Sequence, residues 1–466
     1  MKTQQLSTLI NMPPVPVLRH VFGRAKRELY LVGGTVRDVL LVRPVSDLDF
    51  ATVASPTEAK RLLRRAGADS IYSVGEKFGT IGAIFEGQRV EITTYRSEAY
   101  QAGSRKPDVQ FGISLIDDLS RRDFTINAMA LDLNDGHLED PFGGQGDLSA
   151  GLLRAVGEAE ERFAEDPLRL LRAIRFGAQL SFRLEPSTRR AMARMAHTLG
   201  TISRERIAQE MNRILVSGNP SAAIRELCEL GLMEHIIPEI LAMRGMRNDS
   251  LQHKDVFEHT MVVLDRVPPL LHLRWAALLH DIAKPRTLSV ERGQVHFYGH
   301  DRLGEQMTRR VLGPHGLKYD RETTERVARL VALHLRPNSY EDDWTDGAVR
   351  RLMREADELL DDLLALSRAD VTSRSRERVL AAERRVERLQ QRCAELQAEA
   401  EVARLASPLD GNELMELFNR PPGPWIGVVK NHLLEMVLDG TLAPDDKEAA
   451  TEEARRLAGT LDPVLS

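Results

Sequence analysis

Asp47 and Asp49 sit two residues apart in the apolar run DLDFAT, downstream of LVGGTVRD, where another apolar run meets Gly33-Gly34 and a helix-compatible stretch follows. Side chains in a strand alternate between faces, so carboxylates at i and i+2 point the same way and can hold Mg²⁺ between them. Two glycines ahead of a helix let backbone N–H groups approach a triphosphate closely. Arg37, one turn into that helix, adds a cation at the same place. This set suits metal-dependent nucleotidyl transfer, which needs little beyond positioning and charge. A Gly-Gly turn alone would be only a tight loop; the neighbouring Asp-x-Asp run gives it chemical meaning. Glu91, in VEITTY, is a candidate third carboxylate, although an exposed strand glutamate explains it as well.

Further motifs follow in order: RRDFTINAMA from Arg121, DPFGGQGDL from Asp140 and EDPLRLLRAIRF from Glu165. Arg122 is a candidate triphosphate contact. Asp123 and Asn127, four apart on an expected helix and so on one face, are placed to bond a ribose 2′-hydroxyl; Asp123 also suits the cap of that helix. Asp166, Arg169, Arg172 and Arg175 recur every three residues, a stripe along one helix that Leu168, Leu170, Leu171 and Ile174 mark as packed.

A second constellation lies downstream: His259 in VFEHT, His280-Asp281 in ALLHDIAKP, His300 in FYGHD, His334 in VALHLRP and Asp370 in SRADVTS. One histidine on an apolar helix is ordinarily a satisfied core residue. The ordered set of imidazoles and carboxylates instead suits a divalent metal such as Mg²⁺, Mn²⁺, Ni²⁺ or Fe, whose bound water becomes a nucleophile for phosphoesters.

The transferase motifs together resemble the class II tRNA nucleotidyltransferases, or CCA-adding enzymes, and their relatives the bacterial poly(A) polymerases, over roughly the first 240 residues. The histidine set resembles the HD superfamily of metal-dependent phosphohydrolases in its two-metal form. The first resemblance implies Mg²⁺ on Asp47 and Asp49, nucleotide contacts from Gly33, Gly34, Arg37, Arg122, Asp123, Asn127, Asp166, Arg169, Arg172 and Arg175, and tRNA, ATP and CTP as partners. It also implies that Asp166 and Arg169 read the incoming base. Cytosine and adenine each present an amino donor beside a ring-nitrogen acceptor; guanine and uracil invert that pattern, leaving unpaired polar groups that cost about 1–3 kcal/mol each. The second resemblance implies His259, His280, Asp281 and Asp370 around one ion, His300 and His334 adding another, and Lys284 touching a phosphate. A vestigial domain kept for its fold and its grip on tRNA is the alternative.

These residues need elements to position them. Short β-like runs (Tyr30 to Val32, Asp47 to Thr52, Gly79 to Phe85, Arg89 to Thr94) mix with helical stretches up to about residue 155, which predicts an α+β part over residues 1–155; the first resemblance implies that it is a nucleotidyltransferase head of polymerase-beta type. The pattern then turns helical with few strand candidates, predicting an all-α body, which the resemblances divide into a neck with the base-selecting helix over 156–245, the HD domain over 246–375 and a helical tail over 376–466 that contacts tRNA. Pro186 to Pro238 reads as a helical module, and Arg374 to Arg404 as a long helix that PPGPWIG separates from a terminal pair.

Of the 466 residues only Cys228 and Cys393 are cysteines, which disfavours a disulfide framework and fits a reducing cytoplasm. No signal peptide or membrane span is expected. A net charge of −5 argues against a protein that coats nucleic acid indiscriminately, and no DNA partner is expected. Local arginine patches can still serve RNA phosphates one at a time. The sequence leaves the oligomeric state open.

The leading expectation is a tRNA nucleotidyltransferase that adds or repairs the 3′-terminal CCA without a nucleic-acid template, with accompanying HD phosphohydrolysis. A CC-adding or A-adding enzyme and a poly(A) polymerase share the head; a phosphohydrolase using the head as an RNA clamp is the alternative of a different class. CC-adding relatives tend to have a shortened loop where this chain carries a full-length polar stretch between Thr94 and Arg121, which favours CCA or A addition.

Overall fold

The computed structural model describes residues 2–461, apart from 74–75, 77–78, 100–107, 112–113, 249–253, 293, 342, 372–375 and 405–406. The chain forms two compact units, residues 1–334 and 335–466.

The first unit opens with α1 (Lys2–Ile10), α2 (Val15–Arg24), β1 (Leu29–Val32), α3 (Gly34–Leu40), β2 (Asp47–Thr52), α4 (Pro56–Arg65), β3 (Ser70–Tyr72), β4 (Thr80–Phe85) and β5 (Gln88–Thr94). A hairpin β6 (Arg96–Ala99) and β7 (Asp108–Phe111), α5 (Leu115–Ser120), β8 (Ala130–Asp132), β9 (Leu138–Glu139) and α6 (Gly144–Ala150) complete the head. Seven strands form one sheet in the order β3-β4-β5-β2-β1-β8-β9. Among the described residues of this sheet β2 and β5 pair in parallel and the other ladders are antiparallel. The four expected strand runs are all present, shifted by at most one residue.

Alternation sets the sheet's two faces. Leu48 and Phe50 of β2 and Val90 and Ile92 of β5 are buried in the core, which leaves Asp47, Asp49 and Glu91 on the opposite face. Local signals set the helix starts: Ser55 accepts the N–H of Glu58 with Pro56 in the first turn of α4, and Ser114 with Asp117 forms a capping box on α5. Within the polar stretch expected to be a loop between Thr94 and Arg121, Arg96–Ala99 and Asp108–Phe111 pair as β6 and β7 and Leu115–Ser120 forms α5; residues 100–107 and 112–113 lie outside the described residues.

Then follow β10 (Leu152–Leu153), α7 (Ala159–Glu165), α8 (Leu168–Leu180), β11 (Arg183–Leu184), α9 (Pro186–Met195), α10 (Arg204–Leu215), α11 (Pro220–Glu229), β12 (Arg247–Asn248), β13 (Lys254–Asp255), α12 (Val256–Arg266), α13 (Leu271–Leu279), α14 (Lys284–Thr287), β14 (Leu288–Glu291), β15 (Gln294–Phe297), α15 (His300–Leu312) and α16 (Arg321–Leu333). The body is helical as expected, but three two-stranded ladders interrupt it: β10–β11, β12–β13 and the hairpin β14–β15. Strands of two to four residues carry too little periodicity to register in sequence.

The second unit is helical: α17 (Asp346–Ala356), α18 (Leu360–Asp370), α19 (Arg376–Arg404), α20 (Gly411–Phe418), α21 (Pro424–Leu438) and α22 (Lys447–Leu461). The long α19 buries Val386, Leu389, Cys393 and Leu396. Trp425, at the start of α21, packs with Leu414, Val429 and Leu433 in a separate small core. No helix among the described residues is long and apolar enough to cross a membrane.

Candidate active sites

In the head, β1 ends at a backbone notch. Gly33 has φ 67°, and a Cβ there would stand 2.8 Å from Arg122 Nη1 and 3.7 Å from Asp49 Oδ2, so glycine is what lets guanidinium and carboxylate close on the turn. The parallel register sets Asp49 beside Glu91. Burial, and next the Glu91 carboxylate, push Asp49 up to about 6 despite the opposing charge of Arg122. Carboxylates gathered in this way repel one another until a cation joins them, so Asp47, Asp49 and Glu91 fit a divalent metal. Asp47 is the exposed member of the set.

Behind the notch the charged residues form one chain of contacts. Arg37 Nη1 donates to Asn127 Oδ1 at 2.8 Å while its Nε and Nη2 hold both oxygens of Asp38. Asn127 Nδ2 donates to Asp123 Oδ1 at 3.0 Å, and Arg172 clasps Asp123 Oδ2 at 2.6 and 2.8 Å. Burial would raise Asp123, but Arg172 and Asn127 bring it down to about 2. Phe176 lies beneath Arg37, Arg172 and Arg175, whose guanidinium carbons are 5.0, 5.4 and 4.2 Å from the ring centre.

Two sequence expectations change here. Asp123 and Asn127 do meet, but across a bend entering the single 3₁₀ turn Thr125–Asn127 rather than along a helix. Asp123 caps no helix: its Oδ1 accepts the N–H of the adjacent Phe124. The arginines expected to form one stripe are separately neutralised. Arg169 donates to Glu165 and to the carbonyls of Arg162 and Arg121, and Arg175 to Glu210. Asp166 lies just before α8 and accepts from Arg206 at 3.0 Å. Arg122 holds the buried Asp118 together with Arg121.

Downstream, four helical segments aim imidazoles at one carboxylate. His259 on α12, His280 and Asp281 after α13, His300 opening α15 and His334 closing α16 all belong to the first unit. Nδ1 of His280, His300 and His334 each donates to the carbonyl three residues back, of Ala277, Phe297 and Val331, at 2.6–2.8 Å. A carbonyl can only accept, so Nδ1 carries a proton and Nε2 points inward, free to bind a cation when the ring is neutral. The Nε2 atoms gather at Asp281: His280 and His259 stand 3.2 and 3.5 Å from Oδ2, His300 and His334 3.6 and 4.0 Å from Oδ1, and the Nε2 atoms of His259 and His280 share a hydrogen bond of 3.2 Å. Buried Asp281 Oδ1 and His300 Nε2 find no hydrogen-bond partner. Imidazole nitrogens and a carboxylate gathered this closely, two of their atoms without a partner, fit bound cations, and the two oxygens of Asp281 divide the histidines into two pairs. Lys284 Nζ reaches Asp281 Oδ2 at 2.6 Å. Burial opposes ionisation of Asp281, yet His280, when its ring is protonated, and Lys284 hold it well below the usual carboxylate range. Asp370 is the last residue of α18, in the second unit.

Two residues of the head site escaped the sequence reading. Thr35, buried, donates to the carbonyl of Asp47 and accepts the N–H of Asp49. Tyr72 of β3 lies on Gly82, where a Cβ would overlap its ring, and raises its partnerless hydroxyl near Glu91. A threonine after Gly-Gly signalled the first only weakly; nothing signalled the second.

Three family models match the chain: the poly A polymerase head domain over residues 29–154, the probable RNA and SrmB- binding site of polymerase A over 181–243, and the HD domain over 256–375. A CCA-adding enzyme of Lactobacillus johnsonii is 43% identical over 245 residues, 51% of this chain and 59% of that protein. The chain therefore matches less than two thirds of the length of such relatives. An A-adding tRNA nucleotidyltransferase of Deinococcus radiodurans is 35% identical over 434 residues, 87% of this chain and 90% of that one. Among solved structures, the Bacillus stearothermophilus CCA-adding enzyme in complex with CTP shares 26% identity and a TM-score of 0.56, covering 96% of this chain and 99% of its own.

Proposed function

This chain belongs to the tRNA nucleotidyltransferase and poly(A) polymerase family, and from that premise we propose that it builds or repairs the 3′-terminal CCA of tRNA from CTP and ATP without a nucleic-acid template. The observation that carries the proposal is the convergence of Asp49 and Arg122 on the Gly33 notch, with Glu91 beside Asp49 and Asp47 on the same face of β2. Asp47 and Asp49 would hold divalent metal, with Glu91 beside them. Such metal, when bound, lowers the pKa of the attacking 3′-hydroxyl and neutralises the leaving pyrophosphate. Gly33 and Gly34 open the backbone to the triphosphate, and Arg122 sets a positive charge over it. The Asp123–Asn127 pair, fixed by Arg37 and Arg172, presents polar atoms for the ribose. Asp166 and Arg169 read the base.

Terminal A addition alone is a second reading, and one observation favours it: the relative aligned over 87% of the chain is an A-adding enzyme. Incubation of the purified protein with labelled CTP or ATP and tRNA transcripts lacking CCA, lacking the final A or complete separates the two. C incorporation into the transcript lacking CCA supports CCA synthesis, A addition to CC ends only supports the second reading, and unlimited A addition to any RNA overturns both. Changing Asp47 and Asp49 to Ala should abolish transfer.

The histidine cluster supports an accompanying phosphohydrolase. His259, His280, Asp281, His300 and His334 would hold divalent metal, which supplies a water-derived nucleophile when bound. Lys284 would steady a phosphate oxygen of 2′,3′-cyclic or 2′-phosphate RNA ends.

A further inference from the structure

The hairpin β14–β15 runs directly into the histidine cluster. Its last residue, Phe297, supplies the carbonyl that fixes His300, and Lys284 lies 5.5 Å from the centre of the Phe297 ring. Just beyond, the rings of His296 and Tyr298 stack with centroids 5.0 Å apart and planes 7° apart. Tyr298 is 64% exposed, so one side of its ring rests on His296 while much of the rest faces solvent. Tyr298 is two residues from His300, a reach of at most about 7 Å along the backbone. Lys284, Arg286 and Arg302 bring positive charge to the same segment, with Glu291 and Asp301 the nearby carboxylates in sequence. Buried ligands that can take a phosphoester, flanked by a pre-stacked aromatic and cations, form a site with one place for phosphate and another for a base.

We propose that Tyr298, backed by His296, is a base-stacking platform, so that the histidine cluster takes nucleoside phosphate esters such as an RNA end and discriminates against phosphate esters that lack a base. The proposal rests on the phosphohydrolase reading above. A ring already held by its neighbour needs no ordering to receive a base, and stacking tolerates any base because each has a π face.

The test compares hydrolysis of adenosine 2′,3′-cyclic phosphate with that of methyl β-D-riboside 2,3-cyclic phosphate, which lacks a base. The full-length protein should prefer the former by about tenfold in kcat/KM. Tyr298→Ala should erase that preference through KM, keeping kcat and leaving the base-free ester unaffected; Tyr298→Phe should retain it. A preference that survives Tyr298→Ala, or an equal loss on both esters, overturns the platform. If the unsubstituted protein hydrolyses neither ester, the phosphohydrolase reading fails. Calorimetric binding of adenosine 2′-phosphate then tests the platform alone: weakening by Tyr298→Ala supports it, and unchanged affinity overturns it.

Discussion

Thr35 Oγ1 accepts the backbone N–H of Asp49 at 2.9 Å while donating to the carbonyl of Asp47 at 3.1 Å. One hydroxyl therefore ties the helix after the glycine turn to both ends of the Asp-x-Asp unit. It holds the two carboxylates in relation to Gly33 without touching either of them.

Replacing Thr35 by Val keeps the shape and removes both bonds. Transfer should slow about tenfold, with a weakened dependence on Mg²⁺, and Thr35→Ser should restore both. Titration of transfer rate against Mg²⁺ for the three proteins checks this. Equal rates and equal Mg²⁺ midpoints would reduce Thr35 to a packing residue.

Asp49 titrates upward in the fold, from an ordinary 3.8 to about 6. A carboxyl with a raised folded pKa contributes stability that is full below its unfolded pKa and lost as pH rises through the folded value. Without divalent metal, stability should therefore fall between about pH 4 and about pH 6, and Asp49→Asn should flatten that part of the profile. Added Mg²⁺ should offset the fall, since protons and metal compete for the same oxygens. Thermal melts at several pH values, with and without Mg²⁺, read all three effects.

The Asp123–Arg172 pair works in the opposite direction. Asp123 is only 7% exposed, and Arg172→Ala would leave its charge buried without its partner, at a cost of about 3–5 kcal/mol in denaturant unfolding. Pairing Arg172→Ala with Asp123→Asn should recover much of that loss. Because the folded pKa of Asp123 is depressed to about 2, its contribution is present above 3.8 and vanishes as pH falls toward 2.

Arg169 tests base reading. Arg169→Ala should relax the choice of CTP and ATP over UTP and GTP in competition assays. Since Arg169 also bonds the Arg121 carbonyl at 2.7 Å, some loss of stability should accompany it. Unchanged selectivity would sink the base-reading proposal.

The histidine cluster should be separable from the head. His280→Ala with Asp281→Ala should abolish hydrolysis of a 2′,3′-cyclic nucleotide and reduce bound metal measured by mass spectrometry, while nucleotide transfer to tRNA continues. Hydrolysis that persists in the double variant would show the metal assignment to be wrong.

Much of this was legible in the chain. Asp47 and Asp49 announce themselves because strand alternation is a local rule, and the helix starts at Ser55 and Ser114 follow from caps a few residues long. The ordered histidines likewise marked the second cluster, since each helical segment carries its histidine at or near an end. Less visible were the short ladders β10–β11, β12–β13 and β14–β15, which hold too few residues to show a period. The 3₁₀ turn at Thr125–Asn127 was read as a helix because four-residue spacing looks the same in sequence whether it spans a helical turn or a bend.

The sequence by itself determined which groups exist and which faces they take: paired carboxylates on β2, glycines before α3, histidines on an ordered series of helices, and the family to which they point. Only the tertiary structure decided their partners. Glu91 stands beside Asp49 because β5 pairs with β2 in one register, and Arg37 serves Asn127 across ninety positions of chain. Asp281 became the centre of four histidines because helices far apart in sequence pack around it. Burial, charge coupling and the direction of an imidazole lone pair depend on what lies across the fold, and no local pattern of residues encodes that.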